Sequence, residues 1–125
     1  MTDDRAFPKW AALYLKAQVA GVIVWWFLIL RYPAAREPFF RSDDYKMFVL
    51  ADLVVYALLG SAAAAGVSKD RDWARPALCV LAGGGLYATA LDVSYAVQTG
   101  VGWLGPALML PTVIVPGYLC WRTLK

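Results

Sequence analysis

Two aspartates, Asp52 and Asp92, each sit inside a long run of otherwise apolar residues. An ionised aspartate near the middle of a bilayer costs about 2.5–3.5 kcal/mol on insertion scales, so it must be paired, protonated or facing a wet cavity. Each acid has a phenol close by on its own helix: Tyr56 follows Asp52 by four residues, Tyr95 follows Asp92 by three, and Thr89 shares the Asp92 face. Such carboxyls suit general acid–base work once their surroundings tune them. They suit equally well the polar end of a pocket for an apolar ligand. Arg31 and Tyr32 close the first apolar run on the same side as both acids. An Asp–Arg–Asp ion cluster that staples three helices is therefore the purely structural alternative. Trp25 and Trp26, deeper in the first run, either pack against neighbours or form an aromatic wall for a ligand. Asp52 and Asp92 are the candidate catalytic residues; Trp25, Trp26, Arg31, Tyr56, Thr89 and Tyr95 are the candidate ligand-binding residues.

Other chemistry is excluded by composition. The chain has no histidine, which removes histidine-based triads, haem ligation by histidine and the usual zinc sites. No metal and no cofactor is expected. Cys79 and Cys120 form no C-x-x-C pair, and both are expected as buried free thiols that behave as small hydrophobes. The net charge of +3 comes with no aromatic-basic stripe, so no nucleic acid is expected as a partner.

The elements that must hold these residues follow from hydropathy. Of the 125 residues, 61% are apolar and only 17% charged, too greasy a balance for a water-facing globule. Four runs reach the roughly 20 residues that a bilayer core demands: 10–30, interrupted by Lys16 and Gln18, then 47–66, 77–97 and 101–121. The fold expected is an all-α integral membrane protein, a four-transmembrane-helix bundle forming one domain over 1–125. The first run is full-length and lacks a small-residue cleavage site, so it is expected as a span, not a cleaved signal. With both termini on one side, that side carries Arg5, Lys9, Lys16, Lys69, Arg71, Arg75, Arg122 and Lys125, against Arg31, Arg36, Arg41 and Lys46 opposite. Eight against four predicts both termini in the cytoplasm. Trp10, Tyr45, Phe48, Trp73, Trp103, Tyr118 and Trp121 fall near span ends, as expected of an aromatic belt. Gly83–Gly85 and the small residues of 60–66 predict close helix packing. Pro111 and Pro116 each remove an amide donor inside the last span, which predicts a kink and some cavity.

The stretch YKMFVLADLVVYALL, with an acid followed by Leu-Val, resembles the second core helix of the emopamil-binding protein and sigma-two receptor family (the EXPERA domain), where a glutamate takes the place of Asp52. DWARPAL resembles the Trp…Pro entry to that family's third core helix, LYATALDVSYAVQTG its aspartate- and tyrosine-bearing stretch, and LPTVIVPGYLCWRTLK its Pro-Gly kink and basic tail. The resemblance covers about residues 45–125. It implies a four-helix core around a cavity for sterols and amine drugs, often in a dimer, with Asp52 in the acidic role and Asp92 as base or cation stabiliser. The sequence departs from the family at two points: the isomerase histidine has no counterpart, and Arg31 stands where the family has an acid at the end of the first span.

The function expected is binding of an apolar, sterol- or isoprenoid-like ligand in an intramembrane pocket with two buried aspartates. The alternatives are an acid/base isomerase or cyclase acting on an alkene in that pocket, an accessory subunit of a larger membrane complex, and a proton-coupled small exporter. The expected partners are the lipid bilayer and an apolar small molecule, with a homodimer or larger complex as the assembly. The alanine- and glycine-rich composition suggests a bacterial source, and a bacterial inner membrane is the expected location.

Overall fold

Within lipid a backbone must satisfy its own amides, and over runs this long only helices do so. The computed structural model describes residues 7–123, and all the regular structure in them is helical. Arg5 and Lys125, two of the charges counted above, lie outside the described residues. Four helices are long and apolar enough to cross a membrane: α1 (Lys9–Arg31), α2 (Val49–Ser68), α3 (Ala74–Thr99) and α4 (Leu104–Thr123). Leu13, Phe27, Leu58, Leu86 and Ile114 are each at least 60% exposed. Large apolar side chains turned outward on every helix are the surface of a lipid-facing bundle, not of a water-soluble one.

The helix ends show how the chain turns. At the end of α1 the Tyr32 N–H donates to the Leu28 carbonyl at 2.9 Å. Arg36, on a short helical turn, Pro33–Arg36, then folds back and donates to the Ile29 carbonyl at 2.6 Å and the Leu30 carbonyl at 2.9 Å. Those carbonyls belong to the last turn, whose acceptors have no partner within the helix. The same guanidinium lies 4.2 Å from the Tyr45 ring centre, an attraction between a cation and an aromatic face. A 3-10 turn, Asp44–Met47, feeds α2. Inside α2 the backbone is α-helical over Val49–Asp52, widens to a π-helix over Leu53–Leu59, and returns to α over Gly60–Ser68.

Small residues set the spacing of the bundle. A methyl group at Gly84 would sit 2.9 Å from Val55 of α2, and one at Gly85 would sit 3.1 Å from the Thr112 carbonyl oxygen of α4. That carbonyl is the one whose usual helix donor Pro116 removes, so the freed oxygen meets a position without a side chain. Gly83 faces open space. Two of the three glycines therefore serve close packing, as the sequence predicts. Tyr14 donates to the Pro111 carbonyl at 2.9 Å and Trp10 stacks on Tyr118 at 6.4 Å, which closes α1 against α4.

Against the expectation of two free thiols, Cys79 and Cys120 are joined by a disulfide, their Cα atoms 5.2 Å apart. α3 and α4 form an antiparallel hairpin about the turn at 100–103, and the two cysteines lie toward its far end, one on each helix. The aromatic belt also needs correction. Trp10, Trp73, Trp103 and Trp121 are exposed near helix ends, but Tyr45 is buried and Phe48 packs into the core.

Candidate functional site

Trp26, at a buried position of α1, aims its indole at α2. Its Nε1 donates to Asp52 Oδ2 at 3.0 Å, and the two residues are only 1% and 5% exposed. Asp52 is the last residue before the π-helical stretch, and π turns recur at functional sites because they re-aim the side chains around them. Asp92, half-buried on α3, lies next to Gly105 of α4, where an added methyl group would come within 3.9 Å of Asp92 Oδ2. The two acids share one space. Both line a chamber of about 10 Å³, together with Trp25, Phe48, Tyr95 and Gly102. That is about the space of one water molecule.

The chamber is roofed by an aromatic cluster drawn from separate elements. Phe39 and Phe40 come from the loop after α1, and Phe48 from the start of α2. Trp25 meets Trp26 edge-on at 4.7 Å and Phe39 at 5.3 Å, while Phe40 stacks on Trp26 at 6.0 Å and Phe48 meets Tyr95 at 5.3 Å. Offset and edge-to-face pairs of this kind are favourable beyond the area they bury. Tyr95 fixes the loop above the chamber: its hydroxyl donates to Asp44 Oδ2 at 2.7 Å and accepts from the Arg41 N–H at 2.8 Å. Asp44 and Phe40 are missed by reasoning within single spans, since both belong to a connector.

Other candidates lie apart from the acids. Arg31 is exposed at the end of α1, and the Asp–Arg–Asp cluster does not form: among the described residues the one ion pair is Lys46 with Asp43, at 3.8 Å. The arginine that folds inward is Arg36, and it is occupied with carbonyls of α1. Tyr56 is fully buried, its hydroxyl hydrogen-bonded with that of Thr112 at 3.2 Å, so it ties α2 to α4. Thr89 donates to the Gly85 carbonyl of its own helix at 2.8 Å, a local bond that serves the helix.

Larger spaces flank the chamber on either side. A cavity of about 290 Å³ between α2 and α3 is lined by Phe48, Asp52, Val55, Tyr87, Leu91 and Tyr95, among others. A cavity of about 250 Å³ between α1 and α4 shares Trp25 and Gly105 with the chamber. Asp52 thus stands in the wall between a small aromatic chamber and a larger, mostly apolar groove. A carboxyl in that position can accept hydrogen bonds from a hydroxyl or balance a cation at the end of an apolar molecule. Among the described residues no group of three or more acids and cysteines could hold a metal ion.

The class that the helices and this site define is a small four-helix bundle, apolar enough to span a membrane, with a carboxyl pair buried near one end. Compared with protein-family models, curated proteins and solved structures, the chain matches none.

Proposed function

We propose that this protein binds an apolar, sterol- or isoprenoid-like molecule inside the bilayer, in the groove between α2 and α3, with Asp52 as its polar contact and Asp92 behind it. One observation carries the reading. Asp52 lines a cavity of about 290 Å³ that is otherwise mostly apolar, and among the described residues no cation lies within ion-pair distance of it. Pockets with apolar walls and a few placed polar groups are the usual form of a small-molecule site, though at about 300–1,000 Å³ most are somewhat larger. The resemblance to the EXPERA family points to the same class of ligand. A second reading, an isomerase that protonates an alkene and removes a proton elsewhere, draws on the two carboxyls that share one chamber. In both readings the bundle sits in a bacterial inner membrane with its termini in the cytoplasm, the side that the lysine and arginine count favours.

Mass spectrometry of apolar molecules that copurify with the protein tests the proposal. A discrete lipid or isoprenoid is expected with the wild type and absent from Asp52→Asn/Asp92→Asn. The same bulk lipids in both preparations would overturn it. If the copurified molecule is then converted by the wild type, and Asp52→Asn still binds it without turnover, the enzyme reading replaces simple binding.

A further inference from the structure

The cavity between α1 and α4 carries chemistry of its own, independent of the carboxyl groove. Its α1 wall is one helical face, Tyr14, Gln18, Val22 and Trp25, and its α4 wall includes Leu108 and Thr112. Gln18 is 8% exposed, and neither its Nε2 nor its Oε1 has a hydrogen-bond partner among the described residues. The indole Nε1 of Trp25 is buried and unpaired as well. Native proteins pair more than nine in ten of their buried polar groups. The neighbours that could satisfy Gln18 are engaged elsewhere: Tyr14 donates to the Pro111 carbonyl at 2.9 Å, and Thr112 to the Met109 carbonyl at 2.6 Å.

We propose that this slot is a second ligand site and that it takes an apolar molecule carrying a carbonyl oxygen. Two of the three unpaired atoms, Gln18 Nε2 and Trp25 Nε1, are neutral donors and the third, Gln18 Oε1, is a neutral acceptor; a neutral carbonyl oxygen answers the donors, whereas an anion would find no counter-charge in the lining and a cation no acidic one. Gln18 and Trp25 are seven residues apart, roughly 10 Å along the helix, so the molecule lies along α1 with its carbonyl at Gln18. Leu108, exposed on α4, forms the outer edge of the slot, which opens it to molecules arriving from the lipid. At about 250 Å³ the space suits a small ketone or one end of a longer one.

Benzophenone, an apolar diaryl ketone that cross-links nearby C–H bonds under light, is the probe. Applied to the full chain in detergent, it is expected to label peptides within 14–25 and 105–112. The ketone 2-undecanone should displace it at about a tenfold lower concentration than undecane does, the effect of one hydrogen bond in an apolar site. Gln18→Leu should cut labelling of these peptides about tenfold while the protein keeps its thermal transition. Equal competition by ketone and alkane, or undiminished labelling of a folded Gln18→Leu, overturns the proposal. Should that variant not fold, the ketone–alkane comparison on the wild type still decides it.

Discussion

Asp52 depends on Trp26 for its single side-chain hydrogen bond among the described residues. Leaving a buried acceptor unpaired costs about 1–3 kcal/mol, so Trp26→Phe should destabilise the bundle by about that amount. The penalty should shrink by about 0.6 kcal/mol, the average coupling of side-chain hydrogen bonds within a membrane protein, and by about 1.7 at most, once Asp52→Leu has removed the acceptor. Unfolding in detergent, followed for the four members of the cycle, reads the coupling; equal penalties in both backgrounds would reduce the indole to packing. At this scale the sequence is legible where a residue is costly. A formal charge in an apolar run marks Asp52 and Asp92 whatever surrounds them. The neutral amide of Gln18 shows in the sequence only as a break in the first span, because its lack of partners depends on how α1 turns toward α4. Arg31 and Arg36 are alike in type and near in sequence, and only the fold of the turn after α1 sends Arg36 inward.

The element that brings Asp92 to the chamber is the hairpin of α3 and α4. Its turn contains Gly100 and Gly102, with φ of 77° and 86°, a left-handed region that costs other residues roughly 1–2 kcal/mol. A side chain at Gly100 would meet open space, whereas a methyl group at Gly102 would collide with the Phe39 carbonyl. Gly100→Ala should therefore cost about 1–2 kcal/mol, and Gly102→Ala more, because it also displaces the Phe39–Phe40 cover of the chamber. Thermal unfolding gives the ranking, and tryptophan fluorescence should change in Gly102→Ala alone, since Trp25 and Trp26 lie against that cover. Equal costs would mean that the loop does not rest on this contact. The four spans could be read from hydropathy within a few residues, because apolar length alone dictates them. The π-helical stretch could not, since Leu53–Leu59 reads as any apolar helix. The disulfide could have been suspected from the same hairpin: a short connector between two spans forces antiparallel neighbours, and with the spans expected at 77–97 and 101–121 the two cysteines lie near the facing far ends.

For the molecule as a whole, orientation and the disulfide make opposing demands. Lysine and arginine placement acts as the chain inserts, and in the orientation proposed above the termini, the 69–73 turn and the nearby Cys79–Cys120 pair would face the cytoplasm. Cytoplasmic thiols are kept reduced, whereas disulfides persist in oxidising compartments. Orientation is set at insertion, before two distant helices can bring their cysteines together, so charge should prevail. In that orientation both cysteines are expected as thiols in the living cell, closing into the observed bond on isolation in air. Acid-quenched cells treated with N-ethylmaleimide should yield a protein with both cysteines alkylated, while the air-exposed purified chain should react only after dithiothreitol. Closing the bond should raise stability by about 2–4 kcal/mol, which unfolding with and without dithiothreitol measures. A bond found closed in quenched cells would reverse the topology. The carboxyl chamber, at the opposite end of the bundle, would then open toward the cytoplasm, and any ligand presented to Asp52 from the water side would have to come from there.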